Sequence, residues 1–115
     1  MTSAEYPQST DIDEIVSRIM EVAQPEQVIL FGSAARGTAS RHSDLDFLVI
    51  KAGRYNSRTV AGAIYRRMRG IVTAIDLVIV TPTEVRKYKD SPFSIVCPAL
   101  REGKVVYARK KTVVG

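Results

Sequence analysis

One stretch of the sequence decides the fold, FGSAARGTASRHSDLDFLVI, which spans residues 31–50. It begins with Phe31 and the pair Gly32 and Ser33, and after ten further residues Asp44 and Asp46 flank a single leucine. Glycine lets the backbone turn sharply and lie close to a ligand, and aspartates supply charged oxygen atoms. The stretch therefore joins a turn suited to binding phosphate to a pair of carboxylates.

The two carboxylates are expected to lie on the same face of a strand. Residues 44–50 form a short apolar run rich in branched and aromatic side chains, which predicts a strand. Side chains alternate between faces along a strand, so Asp44 and Asp46 share one face and Leu45 lies on the other. Two close carboxylates repel unless a cation lies between them or one keeps its proton. Magnesium suits this position, because it binds one or two carboxylates and completes its shell with water and substrate phosphates.

The residues before the aspartates predict an anion site at a helix N-terminus. Residues 28–31 are typical of a buried strand, and Gly32 permits the turn that follows. Ser33 is expected to cap a short helix from Ser33 to Arg36, whose free N–H groups face an anion. Gly37 is expected to end that helix.

A third carboxylate appears in a later strand. Residues 74–80, AIDLVIV, are apolar except for Asp76. An ionised group within a buried strand is costly unless it is paired or bound to a metal. Asp76 is therefore expected either at an accessible strand end or in a polar site.

The combination of Gly32, Ser33, Asp44 and Asp46, followed about thirty residues later by Asp76, resembles the nucleotidyltransferase superfamily that includes DNA polymerase beta and kanamycin nucleotidyltransferase. The compact size resembles, more narrowly, the minimal nucleotidyltransferases, or MNT proteins, which are commonly the antitoxin half of HEPN/MNT toxin–antitoxin pairs. The resemblance implies an α+β fold of the polymerase beta type, with a small mixed β-sheet and helices packed mainly on one face.

The resemblance also implies a metal-dependent reaction. A nucleoside monophosphate, AMP from ATP, would be transferred to a hydroxyl acceptor. Asp44 and Asp46 would hold magnesium ions that bridge the triphosphate, and Asp76 would bind the acceptor-side metal and help to remove the hydroxyl proton. Two metal ions about 4 Å apart are suited to such an in-line displacement.

The same resemblance implies which residues bind the nucleotide and which protein is the partner. Gly32 and Ser33 would grip the departing phosphates, and Arg36 would add a cation near them. In HEPN/MNT pairs the acceptor is a tyrosine of the partner toxin, so the expected partner is a HEPN protein that this chain restrains as an antitoxin.

Other functions remain open at this point. The chain is also compatible with a non-catalytic binding module that neutralises its partner by complex formation alone. Nucleotidylation of a small molecule is a further alternative, in which a homodimer would have to supply the acceptor pocket. The residues do not decide the preferred base, the choice between magnesium and manganese, or whether the chain forms homo- or hetero-oligomers.

Length and composition indicate one globular domain. The chain has 115 residues, of which 45% are hydrophobic and 25% charged, which is typical of a single core. We expect a loosely ordered N-terminus over residues 1–9, a domain over residues 10–108 and a basic tail over residues 109–115. No run approaches the roughly 20 apolar residues of a membrane span, so we expect a cytoplasmic protein without a membrane association.

The net charge of +5 raises the question of nucleic-acid binding. Much of the charge lies at the end of one predicted helix and in the tail. Aromatic residues make up only 7% of the chain, so stacking of single-stranded nucleic acid is not favoured. A solvated helix face explains the arginines equally well.

Hydrophobic periodicity, caps and breaks predict the remaining elements. The first helix is expected from Asp11 to Ala23 behind a Thr10 cap. The other predicted helices cover residues 57–69, 83–88 and 92–102, and the other predicted strands cover residues 27–31, 73–80 and 104–108.

Overall fold

The computed structural model describes residues 9–37 and 44–109. Within these ranges the order of elements is α1 (Ser9–Ala23), β1 (Gln27–Phe31), α2 (Ser33–Arg36), β2 (Leu45–Ile50), α3 (Ser57–Arg66), β3 (Ile75–Val80), α4 (Pro82–Tyr88), α5 (Val96–Glu102) and β4 (Lys104–Ala108). None of the helices in the described part of the chain is long and apolar enough to cross a membrane.

The described strands form one mixed sheet with the order β3-β2-β1-β4. β1 pairs antiparallel with both β2 and β4, and β2 pairs parallel with β3. A parallel pair needs a crossover connection, and helix α3 provides it. The predicted α+β architecture with a small mixed sheet is confirmed.

The sheet is covered on both faces. The long helices α1 and α3 pack on one face, where Ile15, Ile19, Phe47 and Ile64 are fully buried. The short helices α4 and α5 lie against the other face, where Val96 and Ala99 join a smaller cluster. Burying these two apolar layers is the main stabilising contribution, at roughly 25 cal/mol per Å² of apolar surface. Side chains alternate between the two faces along β2. Leu45 and Phe47 belong to the larger cluster, so Asp46 between them lies on the face of the smaller cluster.

Helix α3 is shorter than predicted. It ends at Arg66 and not at Arg69, because the N–H groups of Arg67 and Met68 bond three residues back to Ile64 and Tyr65 in a tightened last turn. The guanidinium of Arg18 on α1 donates to the carbonyls of Arg67 and Arg69, at 3.1 and 2.7 Å. A tertiary contact thus ends this helix, and the local periodicity does not reveal it.

The predicted start of α5 is also wrong. The helix begins at Val96, four residues after the predicted Pro92. Pro98 explains the late start, because proline is accommodated in the first turn of a helix but disrupts a helix interior. Ser94 stabilises the entry by accepting a hydrogen bond from the Val96 N–H at 3.0 Å.

The first helix begins slightly earlier than predicted. Helix α1 begins at Ser9, so Thr10 lies inside the helix and is not its cap. Directly after β4, the Arg109 N–H donates to the Glu26 carbonyl at 2.8 Å and its guanidinium donates to the Gln24 carbonyl at 2.9 Å. The rest of the predicted tail, residues 110–115, and residues 1–8 lie outside the described residues.

Candidate active site

The sheet brings two of the three predicted aspartates side by side. In the register of the strands, Asp46 pairs with Phe31 of β1 on one side and with Asp76 of β3 on the other. Paired residues of neighbouring strands lie about 4.8 Å apart and point to the same face. Asp44 directly precedes β2 and is exposed, whereas Leu45 is fully buried on the opposite face. The predicted alternation of these side chains is therefore present.

Three neighbouring charged side chains and partial burial act on the Asp46 carboxyl. Burial raises the pKa of the half-buried Asp46 carboxyl above its ordinary value, and the charges of Asp76 and then Asp44 raise it further. The Arg36 guanidinium has the opposite effect and lowers the pKa of Asp46. The four groups therefore share one electrostatic environment in which negative charge is in excess.

The turn before α2 lies directly against this carboxylate. Gly32 has φ +78°, a left-handed conformation, and a Cβ built on it would collide with Asp46 Oδ2 and lie 3.2 Å from Asp46 Cγ. Only glycine allows the Asp46 carboxylate to lie this close to the turn. A ligand bound at Asp46 would therefore lie against the Gly32 backbone.

The structure corrects the predicted role of Ser33 as a helix cap. Gly32 occupies the cap position of α2, and Ser33 is its first helical residue. The reason is the sharp turn, which already takes place at Gly32. Gly37 ends the helix in a left-handed conformation, with φ +77° and ψ 16°, as predicted.

Arg36 is held by a residue that the sequence reasoning did not identify. Its guanidinium nitrogen lies 3.2 Å from a carboxylate oxygen of Glu102, in the last turn of α5. Both side chains are about half exposed, so the pair adds little stability but restricts where the guanidinium can lie. The two residues are 66 positions apart, and no local pattern signals the contact.

Tyr65 is a second residue that the sequence reasoning missed. Its hydroxyl lies 3.4 Å from the Ile75 carbonyl oxygen and 3.2 Å from the Leu77 amide nitrogen. These two groups flank Asp76 in β3. A tyrosine near the end of an amphipathic helix gives no sign of this role in the sequence.

The donor set fits magnesium, although the carboxylates do not close into a cage. In residues 9–37 and 44–109, no group of three or more His, Cys, Asp or Glu side chains is arranged to hold a metal ion by itself. Magnesium does not require one, because it is usually held by one or two carboxylates and keeps water and phosphate ligands. Asp44, Asp46 and Asp76 supply such oxygens where negative charge is in excess, and the Gly32 turn lies directly against Asp46. Residues 38–43, which connect α2 to Asp44 and include His42, lie outside the described residues.

Comparison with known protein families identifies the class of protein. Residues 13–112 match the family model described as Polymerase beta, Nucleotidyltransferase. The match covers most of the chain, and the protein belongs to this family. Among curated proteins, no sequence matches significantly.

Solved structures share the fold at low sequence identity. One is a crystal structure of a candidate nucleotidyltransferase from Sulfolobus solfataricus, with 23% identity and a TM-score of 0.59, where the match covers 87% of this chain and 79% of that one. Another is a toxin–antitoxin complex with AMP-PNP, with 21% identity, a TM-score of 0.60 and coverage of 85% and 74%. A third is a tri-AMPylated Shewanella oneidensis HEPN toxin in complex with its MNT antitoxin, with 16% identity, a TM-score of 0.57 and coverage of 87% and 71%. At these identities the likeness is one of fold.

Proposed function

We propose that this protein is a magnesium-dependent nucleotidyltransferase that transfers AMP from ATP to a tyrosine hydroxyl of a HEPN toxin, and thereby acts as an antitoxin in the cytoplasm. The observation that carries the proposal is the pairing of Asp46 with Asp76 across adjacent strands, directly beside the Gly32 turn. Membership of the polymerase beta nucleotidyltransferase family supports the reaction class.

The proposed roles are those that resemblance to the polymerase beta nucleotidyltransferase family implies. Asp44 and Asp46 would hold magnesium on the triphosphate side, and Asp76 would hold it on the acceptor side. When bound, magnesium neutralises phosphate charge and lowers the pKa of a coordinated hydroxyl. The acceptor oxygen forms a bond to the α-phosphorus, the bond from that phosphorus to the bridging oxygen breaks, and pyrophosphate leaves. Asp76 helps to remove the acceptor proton, since its exposed carboxylate lies beside the half-buried Asp46.

The Gly32 turn and α2 would bind the leaving phosphates. Gly32 has no side chain that would keep a ligand away from its backbone, and Ser33 follows it as the first residue of α2. Arg36 in the last turn adds a positive charge within the electrostatic reach of Asp46. Positioning and charge neutralisation are expected to supply most of the rate acceleration.

Two of the structural neighbours favour the HEPN toxin as the acceptor. One contains AMP-PNP within a toxin–antitoxin complex, and another contains a toxin that carries AMP groups. An adjacent gene encoding a small helical protein with an Arg-x-x-x-x-His motif would identify the partner.

The test is mass spectrometry of the partner after incubation with this protein, ATP and magnesium. Wild type is expected to add one or more AMP units to a tyrosine, and Asp46→Ala and Asp44→Ala are expected to add none. Asp90→Ala is a matched control, because Asp90 is an exposed aspartate in the turn after α4. If the wild type neutralises the partner without adding mass, the non-catalytic binding module replaces this proposal. Transfer to added aminoglycosides in place of the partner would favour small-molecule modification.

A further inference from the structure

Strand β3, which carries Asp76, is an edge strand. It pairs with β2 on one side only, within the described part of the sheet. An edge strand leaves every second residue with backbone N–H and C=O groups that face outward. Without further support, the residues on both sides of Asp76 would rely on water for these hydrogen bonds.

The hydrogen bonds of β3 show which residues face outward. The carbonyls of Ala74 and Val80 accept from Leu45 and Lys51, at 3.0 and 2.8 Å, so the even-numbered residues of this segment face β2. The odd-numbered residues, Ile75 and Leu77 among them, therefore present their backbone groups to the free edge.

The Tyr65 hydroxyl occupies this free edge beside Asp76. It accepts a hydrogen bond from the Leu77 N–H at 3.2 Å and lies within donating distance of the Ile75 carbonyl at 3.4 Å. One hydroxyl thus bridges residues i−1 and i+1 around Asp76 and takes the place of a neighbouring strand.

The helix end that carries Tyr65 is itself anchored. Arg18 of α1 donates to the carbonyls of Arg67 and Arg69, which directly follow α3. Arg67 in turn forms an ion pair with Glu21 of α1. The hydroxyl therefore reaches the edge strand from a fixed support.

We propose that Tyr65 is a positioning residue that fixes the backbone of Asp76 and so aims its carboxylate at the acceptor side of the site. This inference rests on the proposed nucleotidyltransferase function. Tyr65 contacts neither the nucleotide-side aspartates nor the Gly32 turn through any hydrogen bond found in residues 9–37 and 44–109. Its effect is therefore specific to the step that depends on Asp76.

The test compares Tyr65→Phe with Tyr55→Phe in the full-length protein. Both changes remove one hydroxyl that bonds to a backbone carbonyl. Tyr55 is a suitable control, because its hydroxyl donates to the Lys51 carbonyl at 2.8 Å. Lys51 follows the end of β2 that is opposite to Asp46. Tyr65→Phe is expected to lower kcat for AMP transfer by about 10- to 100-fold, the usual effect of losing a group that orients a ligand. The KM for ATP is expected to remain unchanged, because β2 and the Gly32 turn are intact. Tyr55→Phe is expected to retain the wild-type kcat.

A second readout does not depend on activity. Amide hydrogen exchange measured by NMR is expected to accelerate at Leu77 in Tyr65→Phe and to remain as in wild type in Tyr55→Phe. Unchanged exchange at Leu77, an equal loss of kcat in both variants, or a raised KM for ATP as the main effect would overturn the positioning role. If the wild type transfers no AMP, the proposed function fails, and exchange at Leu77 still decides whether Tyr65 holds the edge strand.

Discussion

Gly32 and Asp46 lie so close together that no side chain fits between them, since a Cβ on Gly32 would collide with Asp46 Oδ2. The contact joins the turn after β1 to the second residue of β2. The turn that we propose to bind phosphate and the carboxylate that we propose to bind metal are thereby held at one point of the sheet. The proposed chemistry depends on this proximity.

Replacing Gly32 by alanine is expected to abolish magnesium-dependent nucleotide binding. Gly37→Ala is a matched control, because Gly37 has nearly the same φ, +77° against +78°, but no atom of the described residues apart from its chain neighbours lies within 4 Å of its Cβ position. Both variants should lose about 1–2 kcal/mol of folding stability, because alanine is strained in the left-handed conformation. Only Gly32→Ala also displaces the Asp46 carboxylate. Calorimetry of ATP binding with magnesium, beside urea denaturation, separates the two effects. Equal nucleotide affinity in the two variants would contradict the proposed geometry.

Neutralising Asp46 is expected to stabilise the protein in the absence of metal. The pKa of Asp46 is raised above its ordinary value of 3.8, so the folded state binds this proton more tightly than the unfolded state. Stability therefore falls as pH rises from 3.8 through the raised folded pKa, and the loss persists at neutral pH.

Asp46→Asn removes this loss of stability and should therefore have a higher Tm than wild type at pH 7 in EDTA. The difference in Tm should disappear when the pH is lowered below 3.8. Added magnesium should raise the Tm of wild type and leave that of Asp46→Asn unchanged. Asp90→Asn serves as the control for a general charge effect. A lower Tm for Asp46→Asn than for wild type at pH 7 in EDTA would be incompatible with this account.

Removing Arg36 is expected to shift metal binding to higher pH. The Arg36 guanidinium lowers the pKa of Asp46, so Arg36→Met should raise that pKa further. Magnesium binds the ionised carboxylate, so the pH at which affinity is half maximal should increase. Arg101→Met is the control, because Arg101 precedes Glu102 in α5 but makes none of the ion pairs found in the described residues. Titration of magnesium affinity against pH checks the shift, and identical profiles for the two variants would refute it.

Two glycines outside the site are expected to respond to alanine with opposite signs. A Cβ on Gly103 would meet the Ala99 carbonyl, Ile29 Cγ2 and the Leu30 carbonyl, so Gly103→Ala should destabilise the fold by about 1–3 kcal/mol through overpacking. Gly62 lies within α3, and in the described part of the chain a Cβ there would meet, beyond its own helix backbone, the flexible Arg66 side chain alone at 3.5 Å, so Gly62→Ala should stabilise by about 0.5–1 kcal/mol. Urea denaturation measures both free energies of unfolding. A lower free energy of unfolding for Gly62→Ala, or an unchanged one for Gly103→Ala, would contradict the packing around these glycines.

Local patterns predicted most of the elements of the fold. The strand from Gln27 to Phe31 and the helix from Ser33 to Arg36 lie where apolar runs and glycines indicated them. Element ends were less predictable where a distant group intervenes, as Arg18 does after α3. The late start of α5 was in principle readable, because Pro98 excludes a long helix before it.

The sequence by itself determined that Asp44 and Asp46 share one face and that Gly32 turns the chain just before α2, because alternation along a strand and glycine's access to positive φ are local properties. Only the tertiary structure decided that Asp76 lies beside Asp46, that Glu102 holds Arg36, and that Tyr65 bridges the residues around Asp76. Strand order, register and helix placement follow from packing two apolar layers against one sheet, and this packing involves residues from the whole domain at once.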